Sequence, residues 1–212
     1  MTALSFEVVG AHAEAYAAVP TLMLQLRISE ANGKPVHAIA LKCQIRIEPQ
    51  RRQYDAAETE RLYELFGETP QWGDSLRPFL WTHTSTMVTS FKGETVVDLP
   101  VPCTYDFEVA GAKYLHSLDG GEVPLVLLFS GTAFTKGSYG LTVAPVAWHE
   151  EAPYRLPVQV WRDVMDLYFP NSAWMRVSRD TLDALARFKV ARGLPTWDLA
   201  FERLLKEAGE DG

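Results

Sequence analysis

The chain has 212 residues, a formal net charge of −7, 47% hydrophobic and 22% charged residues. That length holds one domain able to bury a sizeable core without disulfides or metal, and the composition excludes disorder and low complexity. The acidic balance argues against a general binder of nucleic-acid backbone, and no apolar run reaches the ~18 residues of a membrane span. Residues 1–10 lack a basic segment followed by an apolar core, so a cytoplasmic location is expected.

The first half reads as β. Ser5–Val9 is an expected strand. Leu22, Leu24, Leu26 and Ile28 alternate with Thr21, Met23, Gln25 and Arg27, the period of a strand with one buried face. After the Asn32-Gly33 turn signal, Ile39, Leu41, Cys43, Ile45 and Ile47 point one way and Ala38, Lys42, Gln44, Arg46 and Glu48 the other. The short Glu30–Pro35 connection predicts that these two strands form an antiparallel hairpin. On that reading Arg27, Lys42 and Arg46 share one face, a docking surface for an acidic partner unless Asp106 and Glu108 of another strand neutralise it.

Asp55 is placed to cap a helix that runs to Phe66 and stops at Gly67, with Leu62, Leu65 and Phe66 inward and Glu58 in the first turns, where the helix dipole favours it. Residues 51–80 are an insertion between strands. Strands resume at His83–Phe91 and Glu94–Leu99. Cys103, Tyr105, Phe107 and Val109 alternate with polar residues, and Lys113–Leu118 continues that strand after a bend at Gly111. Val123–Phe134 is apolar on both faces, as expected of a strand covered on both sides. Gly140–Trp148 is the last strand. The C-terminal part, residues 157–208, is helical. Pro157 fits the first position of one helix, Ser178 caps a second that ends before Gly193, and Thr196 caps a third. The expected fold is a mainly antiparallel β-sandwich of about seven or eight strands over residues 1–149, with the insertion at 51–80 and three C-terminal helices packed on it, all one domain spanning 1–212.

Chemistry-bearing residues are present without the groupings that chemistry requires. Cys43 and Cys103 lack metal-ligand spacing and read as reduced core thiols, a mutual disulfide being the alternative. The five histidines, His12, His37, His83, His116 and His149, fall at no metal-binding spacing. His37 continues the inward phase of its strand. His149-Glu150-Glu151 is the one cluster with a base beside carboxylates, though a polar turn explains it equally. No serine-hydrolase elbow, phosphate loop or dinucleotide fingerprint occurs. No catalytic residue, metal site or cofactor is therefore assigned.

Six tryptophans remain: Trp72, Trp81, Trp148, Trp161, Trp174 and Trp197. Trp72, Trp81, Trp148 and Trp174 sit in loops or beside Pro or Gly, where they either pack loops on the sheet or serve as contact residues. The candidate binding residues are Trp72, Trp81, Trp174, Arg27 and Arg46. The leading reading is a non-enzymatic binding protein. A hydrolase using His83, His116 or His149 as base is the alternative, and a carbohydrate-binding module using Trp72 and Trp81 a third.

Several segments occur together: Pro20-Thr21-Leu22, Gln44-Ile45-Arg46-Ile47-Glu48-Pro49, Leu65-Phe66-Gly67, Leu80-Trp81-Thr82-His83, Val101-Pro102-Cys103-Thr104-Tyr105-Asp106, Pro124 through Thr132, and Phe169-Pro170-Asn171-Ser172-Ala173-Trp174. In these the chain resembles a bacterial family of unknown function over most of its length. The resemblance implies an accessory role, through gene clusters that also encode nickel–iron hydrogenases and their maturation proteins. A protein partner, such as a hydrogenase component, is what it implies. It carries no activity and no catalytic residue to any position here.

Overall fold

Alternating apolar side chains on long strands leave one face of each sheet dry, and two such faces close on each other. The computed structural model describes residues 3–104, 106, 109–137, 140–172 and 175–209. Among them eight antiparallel strands are found: β1 (Leu4–Ala13), β2 (Thr21–Glu30), β3 (Val36–Ile47), β4 (Phe79–Val88), β5 (Glu94–Pro102), β6 (Glu122–Gly137), β7 (Gly140–Pro145) and β8 (Glu151–Pro157). One sheet has the order β1-β2-β5; the other has β4-β3-β6-β7, with β8 also paired to β6. Leu22, Leu24, Leu26 and Ile28 of β2 and Ile39, Leu41, Cys43, Ile45 and Ile47 of β3 are all 1% exposed or less. Phe6 of β1 stacks on Phe129 of β6 across the gap, with centroids 4.4 Å apart. The odd-numbered side chains of β3 from Ile39 to Ile47 thus face a dry interior, as the alternation predicts.

The expected β2–β3 hairpin does not form. The Asn32-Gly33 turn is present, with Gly33 at φ 67°, but it carries the chain from one sheet to the other. β2 is flanked by β1 and β5, and β3 by β4 and β6, so neither has an edge left for the other. Two full ladders per strand outweigh one local hairpin. The buried Glu30 holds the crossover by accepting from Asn32 Nδ2 at 3.3 Å and the Lys34 amide at 2.7 Å. The correction extends to Arg27 and Arg46. They lie on the outer faces of different sheets, and Arg27 pairs instead with Glu7 of β1 at 2.9 Å. A register shift between Val36 and Ala38 also turns His37 out to solvent, against its expected inward phase.

The insertion between β3 and β4 contains α1 (Ala56–Arg61), α2 (Tyr63–Phe66) and α3 (Trp72–Ser75). Asp55 caps α1 by accepting from the Glu58 amide at 2.8 Å, and Gly67 ends α2 at φ 73°, both as predicted. β4 starts at Phe79, inside the expected insertion.

Two further corrections follow from ambiguous apolar runs. Cys103 and Thr104 lie beyond the end of β5, and Lys113–Leu118 is not a strand: α4 (Ala110–His116) occupies that stretch, burying Gly111, Ala112, Tyr114 and Leu115. Ala112 and Leu115 are three apart, Gly111 and Leu115 four, a helical rather than an alternating pattern. Tyr105, Phe107 and Glu108, expected in the strand, lie outside the described residues. The other correction is β8, a further strand beyond the one expected to be last, and β7 ends at Pro145 rather than Trp148.

Residues 1–174 and 175–212 form two compact units. In the first, α5 (Val158–Tyr168) buries Val158, Trp161, Val164 and Met165 and packs against β1, β2 and β8. Pro157 stands at its N-cap, one position earlier than expected. The second unit holds α6 (Arg179–Ala191) and α7 (Trp197–Ala208), capped by Ser178 and Thr196 as predicted. Glu207 of α7 pairs with Arg192, the residue that follows α6, and with Arg203 at 2.8 Å. Among the described residues no helix is long and apolar enough to cross a membrane.

One glycine is required by close approach. Gly131 of β6 has φ 141°, and a Cβ there would stand 2.1 Å from the Ala40 carbonyl oxygen of β3. Gly131→Ala is expected to lower stability by about 3 kcal/mol, read as a fall in the urea midpoint. A change below about 0.5 kcal/mol would contradict this contact.

Candidate functional site

Two polar surfaces stand out, and they differ in what their groups are free to do. The first is at one end of the sandwich, where the insertion meets the turn between α4 and β6. The 3-10 turn Pro49–Arg51 leads out of β3 and delivers Arg52. The Asp55 cap sets Glu58 in the first turn of α1, where its carboxylate meets Arg52. Arg52 Nη2 donates to Glu58 Oε1 at 2.5 Å and to the Gly120 carbonyl at 2.8 Å, while Nη1 donates to the Glu122 carbonyl at 2.9 Å. The same Glu58 oxygen accepts from the Asp119 amide at 2.9 Å. The two side chains are 10% and 4% exposed. Beside them Tyr54 donates to the Pro49 carbonyl at 2.8 Å, so its bond with Tyr114 at 2.7 Å has Tyr114 as donor.

A depression of about 460 Å³ opens here, lined by Arg52, Tyr54, Asp55, Glu58, Asp119 and Gly120 among others. Its charges are engaged with one another. Asp119 also pairs with Arg61 at 2.6 Å, and Arg61 Nε donates to the Ser117 carbonyl at 2.9 Å. The arrangement clamps the insertion to the 117–122 turn. By sequence, Glu58 stands only in the field of its helix, and nothing local marks Arg52, Tyr54 or Tyr114. The Arg52 contacts to the Gly120 and Glu122 carbonyls join residues about seventy positions apart, beyond the reach of any local pattern.

The second surface is the outer face of the β4-β3-β6 sheet. Strand register sets its rows: Leu80, Arg46, Val126 and Pro153; then His83, Gln44, Leu128 and Glu151; then Ser85, Lys42 and Ser130; then Met87, Ala40, Thr132 and Pro145. A shallow depression of about 430 Å³ lies over the second and third rows. No carboxylate is among its lining residues.

The candidate residues separate onto different parts of the molecule. Arg46 is on this outer face; Arg27 is on the other sheet. Trp72 and Trp81 are half-buried and packed against the core. Trp72 donates Nε1 to the Gly67 carbonyl at 3.1 Å and meets Tyr54 edge-on, and Trp81 lies against Gly111. Trp174 lies outside the described residues. Trp148, not singled out as a contact residue by the sequence, is 91% exposed. Of the three candidate bases, His83 is exposed on the outer face. His116 is held below its ordinary pKa by burial and then by Arg162 and Arg61. His149 is brought beside a carboxylate, Glu150, at 3.7 Å on an exposed loop. Both cysteines are free and buried, and burial pushes each thiol up to about 12.

Removing one partner of the buried pair should cost far more than removing both. Arg52→Met or Glu58→Gln is expected to lower unfolding free energy by about 3–5 kcal/mol, with the double Arg52→Met, Glu58→Met variant recovering most of it. Equal losses in all three, by denaturant titration, would show that the pair is not a clamp.

Alkali tests the tyrosines. Burial pushes Tyr54 up to about 12; Tyr114 is raised too, by burial and then by the neighbouring Tyr54. A raised folded pKa means that the native state keeps a proton the unfolded chain releases. The resulting stability is fully present below about pH 10 and is lost as pH rises through 12. The wild-type denaturation midpoint should fall across that window, and Tyr114→Phe should flatten the fall.

Sequence comparison finds no curated protein that matches this chain. Among solved structures, a CARDB domain from Pyrococcus furiosus, determined with di-metal ions, is similar at 11% identity and a TM-score of 0.28, covering 73% of this chain and 91% of that one. The major subunit of aggregative adherence fimbriae type I from Escherichia coli is similar at 7% identity and 0.26, covering 74% and 94%. β-Glucosidase 3B from Thermotoga neapolitana, determined with α-D-glucose, is similar at 13% and 0.25, and this chain spans only 17% of its length. At such TM-scores these likenesses carry neither a function nor a ligand to this chain. The family comparison is different in kind, because one model matches residues 1–212 from end to end. The chain belongs to the family of unknown function DUF6084.

Proposed function

We propose that the protein is a non-enzymatic binding protein that docks a protein partner on the outer face of the β4-β3-β6 sheet. One observation carries this reading: that face leaves apolar side chains in water around two cations, Lys42 and Arg46. Met87 is 64% exposed and Leu80 46%. Val126, Leu128 and Phe134 are only half covered, with Arg46, Lys42 and His83 between them. Apolar anchors ringed by polar groups are the chemistry of a protein interface. The buried ion pair of Arg52 and Glu58 is by contrast engaged inside the fold. The partner class comes from the resemblance noted above: a component of a nickel–iron hydrogenase or of its maturation machinery, served in an accessory or assembly role.

The test compares wild type with Arg46→Glu and Met87→Glu, both surface changes, as immobilised baits for native-cell extract and for a purified hydrogenase component. A partner retained by wild type and lost about ten-fold or more by either variant, at unchanged circular dichroism, is the expected result. Retention that is equal for all three baits would overturn the docking face.

A further inference from the structure

The strand edges of this protein are not treated alike. β1 breaks register between Val8 and Gly10 and packs against β8 and α5. β5 carries Pro100, Pro102, Glu94 and Asp98, and lies against β4, whose Thr84 hydroxyl donates to the Pro100 carbonyl. β4 itself is bulged where Ile45 gives way to Arg46. β8 contains Pro153 and Pro157 and packs on β1. Bulges, charges, prolines and cover are the ordinary means of keeping an edge from pairing with another chain. Apart from its short length and a terminal proline, β7 shows none of them among the described residues. It pairs with β6 without a register break and has no ionisable residue, and its one proline is its last residue. Its far edge pairs with no strand among the described residues. Leu141 and Val143 are 62% and 60% exposed.

We propose that β7 is a self-association edge, pairing antiparallel with β7 of a second copy of this chain across a two-fold axis. This does not rest on the docking face argued above. A strand of sequence Gly-Leu-Thr-Val-Ala-Pro is self-complementary in one register. With the axis at Thr142, that residue faces its own counterpart. Leu141 faces the partner's Val143, and Val143 the partner's Leu141. Both pairs lie on one face of the joined sheet, next to Phe134, whose register partner is Val143. Each copy carries −7, yet no charge stands on the contact strand, so repulsion between copies is long-range and screened by salt. Six residues per copy make a small interface, hence a weak and concentration-dependent dimer.

The experiment is sedimentation of the full chain from ~1 µM to ~1 mM at low and high salt. The weight-average mass should climb from 23.8 kDa toward twice that value, and further at high salt. Thr142→Lys sets two like charges opposite each other and should hold the chain monomeric at every concentration. Thr142→Cys should form an inter-chain disulfide under mild oxidation, because facing residues of an antiparallel pair have Cα atoms ~4.5–5.5 Å apart, within disulfide reach. Val96→Cys, equally surface-placed on β5, should not. A wild type that stays monomeric to ~1 mM, or a Thr142→Lys chain that dimerises like wild type, overturns the proposal. So does Val96→Cys cross-linking as fast as Thr142→Cys.

Discussion

The dry layer between the two sheets holds every other feature of the sandwich in place. The inward residues of β2 and β3 are sealed from water, and Phe6 on Phe129 joins the layers. Each buried Leu or Ile there stabilises the fold by about 1.5–3 kcal/mol relative to exposure. Because side chains alternate, fixing the inward set of β3 also fixes the outward set. Lys42, Gln44 and Arg46 face water because Ile39, Leu41, Cys43, Ile45 and Ile47 cannot. The character of the outer face is therefore a consequence of the core, and a one-residue slip of β3 would exchange the two.

That logic also marks what a reader of the residues alone recovers. The inward and outward sets of β2 and β3, the Asp55, Ser178 and Thr196 caps, and the stop at Gly67 were all legible, because each depends on neighbours within a few positions. Strand partnership was not. The Asn32-Gly33 turn looks the same whether the chain folds back or crosses to another sheet, and the choice is made by β1, β5, β4 and β6 competing for the same edges. α4 was hidden because a short apolar run fits a helix or a strand equally well. β8 is hidden because Pro157 reads as a helix start and Pro153 disfavours a strand, although a strand that pairs with β6 alone tolerates them.

The candidate sites divide along the same line. Arg46 was placed on an outer face correctly from its phase, but its supposed neighbour Arg27 went to the other sheet with β2. The Arg52–Glu58 clamp escaped because its meaning lies in the carbonyls of Gly120 and Glu122, which only the tertiary fold brings near. Trp72 and Trp81 stand in a loop context that suits contact residues. The structure gives them the aromatic cluster and Gly111 as partners, so loop context alone did not separate packing tryptophans from exposed ones.

The pairing of β6 explains where the exposed apolar groups are found. β7 and β8 lie in succession along one side of β6, and the chain leaves the ladder between them. The Val146 amide bonds to the Gly131 carbonyl and the Phe129 amide to the Glu150 carbonyl, which brackets the excursion. Within it Trp148 stands almost wholly in water. Gly131 serves both sides of this junction, since its bare α-carbon admits the Ala40 carbonyl of β3 while its own carbonyl receives Val146. The tight β3–β6 contact and the break between β7 and β8 therefore meet at one residue. The break limits β7 to six residues, so pairing along its uncharged edge runs over one short ladder and stays weak.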